Sequence, residues 1–166
     1  MRVLVVGAGA LGGYFGGRLV EAGKDVTFLV RPQRAEQIAR HGLRIDSLHG
    51  DADLRPRTVL ASDLREPYDL VLLAAKAYAL DAAIQDFAPA VEPETAILPV
   101  LNGMRHLDAL IARFGKDRIL GGLASIPATL GPEGQVVHRM GPDHHLTFGE
   151  PAGGISQRVW AIASTF

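Results

Sequence analysis

Three glycines near the start of the chain have the spacing of a phosphate-binding turn. Gly7, Gly9 and Gly12 form the pattern Gly-x-Gly-x-x-Gly directly after the strand-like segment 2–6, whose last four residues are aliphatic, and a helix-like pattern follows. In such a turn the first glycine permits a sharp bend, the second lets a pyrophosphate approach the backbone, and the third lets the helix pack closely on the sheet. The N–H groups at the helix start then face the phosphates. The pattern predicts a dinucleotide site, with a purely structural glycine-rich turn as the alternative.

The residue after the second predicted strand indicates which dinucleotide the site binds. In NAD-binding versions of this turn, an Asp or Glu at the end of that strand bonds the ribose hydroxyls. Here segment 25–30 is followed by Arg31, whose guanidinium can pair with a 2′-phosphate. This favours NADP(H) over NAD(H), and flavin is the other alternative because it uses the same turn. Arg34 could add a second positive charge, but charged side chains on a surface helix are usually solvated, so we expect no cofactor contact from it.

Composition excludes several classes of function. The chain has 166 residues, a length typical of one domain, and a net charge of −1, which gives no electrostatic case for nucleic acid or an anionic membrane. It has no cysteine, which excludes disulfides, thiolate chemistry and Cys-ligated zinc. We predict a cytoplasmic protein without a membrane span.

The histidines have no metal-ligand spacing and are predicted to be turn and surface residues; they are His41, His49, His106, His138, His144 and His145.

Strand-like and helix-like segments alternate along the chain, which is typical of a parallel sheet covered by helices. The segments with strand character are 2–6, 25–30, 58–61, 69–75, 96–101 and 118–123. Those with helical character are 10–22, 32–40, 79–87, 104–114 and 153–166. Alternation within 43–57 predicts a short β-ribbon, and segment 127–150 predicts antiparallel strands at one edge. The prediction is a Rossmann-type α/β fold: a doubly wound, mostly parallel sheet with helices on both faces and antiparallel edge strands.

The final predicted helix bears on assembly. Val159, Trp160 and Phe166 are large apolar residues in a segment that stops without a capping residue. We therefore expect these side chains to need a covering surface. This predicts that the chain is cut from a longer protein and that it can self-associate as a homo-oligomer through this helix.

Two further polar positions follow neighbouring predicted strands. Lys76 comes directly after the apolar run 69–75, and Asn102-Gly103-Met104 follows the strand 96–101. The carboxyl ends of parallel strands meet at one edge of a sheet, where ligands bind. Solvated loop residues and an ordinary turn dipeptide are the alternatives for these two positions. The order of motifs along the chain closely resembles the ketopantoate reductase (2-dehydropantoate 2-reductase) family. These motifs are the two positions above, Gly7–Gly12, Arg31, Gly121-Gly122 and the stretches 134–138 and 148–150.

The resemblance implies an NADPH-dependent enzyme that reduces the ketone of 2-dehydropantoate to the hydroxyl of pantoate, in pantothenate and coenzyme A biosynthesis. It also implies roles for individual residues. By this resemblance, the pyrophosphate is bound by the turn residues Gly7, Ala8, Gly9, Ala10, Leu11 and Gly12, and the 2′-phosphate by Arg31. Lys76 is another cofactor contact. Asn102 lies beside the nicotinamide ribose and the substrate, and Ala128 lines the nicotinamide side.

The family's catalytic lysine comes from a second, helical domain that would lie beyond Phe166. The resemblance therefore implies that 1–166 is the NADP-binding domain, that it carries no catalytic residue, and that it is inactive alone. Its small-molecule partner is a 2-oxo acid. The alternatives are a related NADP-dependent hydroxyacid or opine-type dehydrogenase with another 2-oxo acid substrate, and a stand-alone NADP-binding regulatory module.

Overall fold

A computed structural model describes residues 1–166 of the chain. It contains eleven strands and five α-helices, joined by short loops and 3₁₀ turns. In chain order they are β1 (Arg2–Val6), α1 (Ala10–Glu21), β2 (Asp25–Leu29), α2 (Pro32–His41), β3 (Leu43–Ser47), β4 (Ala52–Leu54), β5 (Arg57–Val59), β6 (Leu70–Leu73), α3 (Leu80–Phe87), β7 (Ala96–Pro99), α4 (Arg105–Phe114), β8 (Gly121–Ser125), β9 (Thr129–Leu130), β10 (Val136–His138), β11 (His145–Gly149) and α5 (Gln157–Ala163). None of the helices is long and apolar enough to cross a membrane.

The central sheet has five parallel strands in the order β5-β2-β1-β6-β7. Alternate residues of β1 point to opposite faces, so that Val3 and Val5 belong to one hydrophobic core and Leu4 and Val6 to another. Helices α1, α2 and α5 contribute to the first core, and α3 and α4 to the second. The predicted Rossmann-type fold, doubly wound with helices on both faces, is confirmed.

Helix α1 lies between two sheets, and its glycines make this possible. A Cβ at Gly16 would lie 2.7 Å from Phe28 of the central sheet. Cβ atoms at Gly13 and Gly17 would lie 2.8 Å from Val136 and 2.6 Å from Ile45, both in a second sheet of order β4-β3-β10-β9. Two glycine faces on one helix thus allow close contact with both sheets.

The antiparallel strands of segment 127–150 are present, but their placement differs from the prediction. Instead of lining one edge of the central sheet, β9 and β10 join the second sheet, where β10 pairs with β3 in parallel. Strand β11 pairs antiparallel with β8. Strand β8 begins three residues later than predicted, because Ile119 forms only an isolated bridge to Ile97 before the chain turns toward β11.

The C-terminal helix is shorter than predicted and largely covered on one side. Ser156 caps it by accepting a hydrogen bond from the Val159 N–H. Val159 is buried in the first core, so the expectation that it needs an external covering surface is wrong. Trp160 and Phe166 are exposed, as expected.

Candidate cofactor site

The glycine-rich turn has the geometry that its sequence predicts. Gly7 has a φ of +95°, a conformation that disfavours a side chain, and its N–H donates to the Leu29 carbonyl at 3.0 Å. A Cβ at Gly12 would lie 2.0 Å from the Gly7 carbonyl oxygen. A Cβ at Gly9 would have no atom within 4 Å. The first and third glycines are therefore required by the protein itself, whereas Gly9 faces open space.

That open space belongs to a cleft of about 530 Å³ at the carboxyl ends of the parallel strands. One wall is the glycine-rich turn, and the others are the loops after β2, β5 and β6. The lining is mostly apolar, with Arg31, Arg34 and Lys76 as its cations and Asp86 as its carboxylate. A concave, mostly apolar cleft with a few polar groups, beside a glycine-rich turn, suits a dinucleotide.

The cleft brings together several, but not all, of the predicted residues. Gly7, Ala8, Gly9, Arg31 and Lys76 line it. Ala10 and Leu11 continue from the turn into the first turn of α1. The side chains of Arg31 and Lys76 are exposed and form no hydrogen bond or ion pair within the chain, so both are free to contact a ligand.

Asn102 and Ala128 lie outside the lining of this cleft. Asn102 is exposed in the loop between β7 and α4, at the same sheet edge as Lys76. Ala128 is partly buried against the first core, immediately before β9. Any contact of these two residues with a cofactor therefore requires a ligand that extends beyond the cleft.

Arg34 differs from its expected solvated state. Its Nε donates to the Ala8 carbonyl at 3.0 Å, and its Nη1 donates to Gln37. Its Nη2 is buried without a hydrogen-bond partner, and burial lowers the pKa of this guanidinium. Arg34 lies in the first turn of α2, three residues after Arg31, which precedes the helix as its N-cap residue.

The histidines also depart from the prediction. His106 and His138 are buried, so they are not surface residues. His49 and His144 stack with ring centroids 3.8 Å apart, and His138 lies beside both. His138 Nδ1 contacts the Ser47 hydroxyl at 3.0 Å. The rings stack instead of converging on one point, and no group of three or more His, Cys, Asp or Glu side chains is arranged to hold a metal ion.

Comparison with known proteins agrees with this architecture. The family model described as ketopantoate reductase PanE/ApbA matches residues 3–153. The protein named uncharacterized oxidoreductase YkpB of Bacillus subtilis (strain 168) is 43% identical over 166 residues, which is 100% of this chain and 54% of that protein.

The chain is also similar in fold and sequence to solved structures of reductases and dehydrogenases. The 2-dehydropantoate 2-reductase of Geobacter metallireducens GS-15 is 36% identical with a TM-score of 0.89, over 99% of this chain and 54% of that one. A D-mandelate dehydrogenase solved with NADH and anilino(oxo)acetate is 26% identical with a TM-score of 0.86, over 99% of this chain and 53% of that one. The chain thus spans about half the length of these relatives.

Proposed function

The chain belongs to the ketopantoate reductase PanE/ApbA family, and from this premise we propose that residues 1–166 are the NADP(H)-binding domain of an NADPH-dependent reductase that converts 2-dehydropantoate to pantoate. The observation that carries the proposal is the open space at Gly9 within the cleft. Gly9 has neither a positive φ nor a close neighbour that would require glycine for the fold, whereas a pyrophosphate needs such access to the backbone.

The proposed binding mode assigns one part of the cofactor to each group of residues. The turn Gly7–Gly12 holds the pyrophosphate with its N–H groups, and Arg31 meets the 2′-phosphate. Lys76 contacts the cofactor from the loop after β6. Asn102 and Ala128 contact the nicotinamide end, and Asn102 also contacts the substrate.

The proposed chemistry needs more than this site. Bound NADPH supplies a hydride, and the ketone oxygen must receive a proton. We assign no side chain of 1–166 to that proton transfer, so we expect the chain alone to bind NADP(H) weakly and to reduce nothing. A cytoplasmic location and self-association through the exposed part of α5 are further proposals.

Parallel calorimetric titrations of the 166-residue chain with NADPH and NADH test the proposal. We expect NADPH to bind more tightly, because Arg31 and Lys76 are unpaired cations and Asp86 is the only carboxylate lining the cleft. Equal affinities would contradict the assignment of NADP(H), and absence of binding by either dinucleotide would contradict the binding role of this domain. Reduction of 2-dehydropantoate by the chain alone would contradict its proposed dependence on another domain.

Arg31→Ala tests the 2′-phosphate contact. We expect NADPH binding to weaken by about 1.5 kcal/mol, the low end for a charge-assisted hydrogen bond, because Arg31 is exposed. NADH binding should change little, since NADH lacks the 2′-phosphate. Equal losses for the two dinucleotides in the same titrations would assign Arg31 to another part of the cofactor.

A second candidate is a related reductase for another 2-oxo acid. The D-mandelate dehydrogenase structure supports it, because that protein shares this fold and was solved with NADH and an oxo acid. This alternative is also NADP-dependent and differs in the 2-oxo acid that is reduced. Comparing the reduction of 2-dehydropantoate with that of other 2-oxo acids by a longer protein that contains this chain separates the two candidates.

A further inference from the structure

Resting on the proposed binding of NADP(H), we propose that Arg34 is a second specificity-determining residue, which together with Arg31 forms a two-guanidinium site for the 2′-phosphate. Both residues line the same cleft, and they are three residues apart at the start of α2. The Arg34 N–H donates to the Arg31 carbonyl at 3.0 Å, which fixes their relative position along the helix.

The Arg34 side chain is held in place before any ligand arrives. Its Nε bond to the Ala8 carbonyl attaches it to the glycine-rich turn, and Gln37 accepts from its Nη1. Gln37 in turn donates to the Glu133 carbonyl at 2.8 Å, which connects α2 to the turn between β9 and β10. A guanidinium fixed in this way loses little side-chain entropy when it binds an anion.

One edge of this guanidinium has no partner. Nη2 is buried without an acceptor, and no carboxylate forms an ion pair with Arg34 or Arg31. A buried donor without an acceptor is costly, and a buried charge without a counter-charge more so. An anionic ligand that supplies the missing acceptor would explain why Nη2 of Arg34 is buried without a partner in the chain. Arg34 lines the same cleft as Arg31, in which such a ligand would lie.

A phosphate monoester fits this pair of cations. At neutral pH it carries a charge of about −1.5 to −2 and presents three acceptor oxygens. One exposed guanidinium balances only part of that charge, and two guanidinium groups can balance it. The partly desolvated environment of Arg34 strengthens its attraction to the phosphate relative to that of solvated Arg31. The pyrophosphate is shared by both dinucleotides, so a contact to it would give no specificity.

The test compares 2′,5′-ADP with 5′-AMP, which differ only by the 2′-phosphate, in calorimetric titrations of the intact chain. For Arg34→Met we expect the affinity for 2′,5′-ADP to fall at least about tenfold, while that for 5′-AMP changes less than about twofold. Arg40→Met is the matched control, since Arg40 lies on the same helix, is exposed and pairs with Glu36. It removes the same charge and should leave both affinities unchanged.

The outcomes separate this inference from the proposed function. Equal losses for 2′,5′-ADP and 5′-AMP in Arg34→Met would show that Arg34 only positions the glycine-rich turn, and would overturn the inference while leaving NADP(H) binding intact. No loss for either ligand would also overturn it. If the unmodified chain binds neither 2′,5′-ADP nor NADPH, both proposals fall. Should Arg34→Met not fold by circular dichroism, Arg34→Lys is used; it should keep 5′-AMP binding and lose part of the discrimination.

Discussion

Replacing Gly12 by alanine is expected to destabilise the protein by about 3 kcal/mol or more and to abolish dinucleotide binding. The new Cβ would lie 2.0 Å from the Gly7 carbonyl oxygen and 3.0 Å from the Ala74 Cβ. The nearer contact is with backbone, so no side-chain rotation can relieve it, and either α1 or the turn must move. Alanine gains only about 1 kcal/mol over glycine in a helix, so the collision dominates. Urea unfolding gives the stability change, and an unchanged transition midpoint would contradict the packing assigned to Gly12.

Gly9→Ala is the matched substitution that separates binding from folding. A Cβ at this position meets no atom within 4 Å, and the φ of −81° suits alanine. We therefore expect stability equal to that of the unmodified chain or up to about 1 kcal/mol higher. The methyl group would occupy the space proposed for the pyrophosphate, so NADPH and NADH should both bind at least about tenfold more weakly. Unchanged affinity in this variant would mean that the cofactor does not lie on Gly9.

The two glycine faces of α1 illustrate how far the sequence predicts the fold. The third glycine of the turn, Gly12, predicts that α1 packs closely on the sheet that contains β1. The partner of the Gly13/Gly17 face was not predictable from local pattern. It is the second sheet, in which β3 and β10 pair across about ninety residues of chain. The hydrophobic period of a strand indicates which residues are buried but not which strand is its neighbour.

In the candidate site, too, some features follow from local sequence and others depend on distant segments of the chain. Gly7 and Gly9 lie in the turn between β1 and α1, and Arg31 lies directly after β2, so their place in the cleft follows from the local order of strands and turns. The state of Arg34 depends in addition on Gln37 and on the turn between β9 and β10, which comes from far along the chain. The histidine cluster likewise joins residues from separate loops and strands. Contacts between distant segments bury a side chain, and the residues next to it in sequence do not indicate this burial.

The ion pair of Glu150 and Arg158 holds α5 against the fold. Arg158 Nε donates to the Glu150 carboxylate at 2.7 Å, and the Ser156 hydroxyl donates to it at 2.6 Å. The side chains are 19% and 34% exposed, so solvent screens this pair less than a surface pair. These hydrogen bonds to the charged form, chiefly from Arg158, lower the pKa of Glu150 to about 2.

Glu150→Gln is expected to destabilise the chain by about 2–3 kcal/mol at pH 7, the energy that corresponds to the lowered pKa after a reduction for partial exposure. Because the folded-state pKa lies below the ordinary value of 4.5, the stabilisation is present above that value and is lost as the pH falls toward 2. Urea unfolding between pH 7 and pH 3 should therefore show a shallower loss of stability for Glu150→Gln than for the unmodified chain. Glu133→Gln is the control: Glu133 pairs with Arg44 but is 68% exposed, so its removal should change stability much less. Parallel pH profiles for Glu150→Gln and the unmodified chain would contradict the role given to this pair.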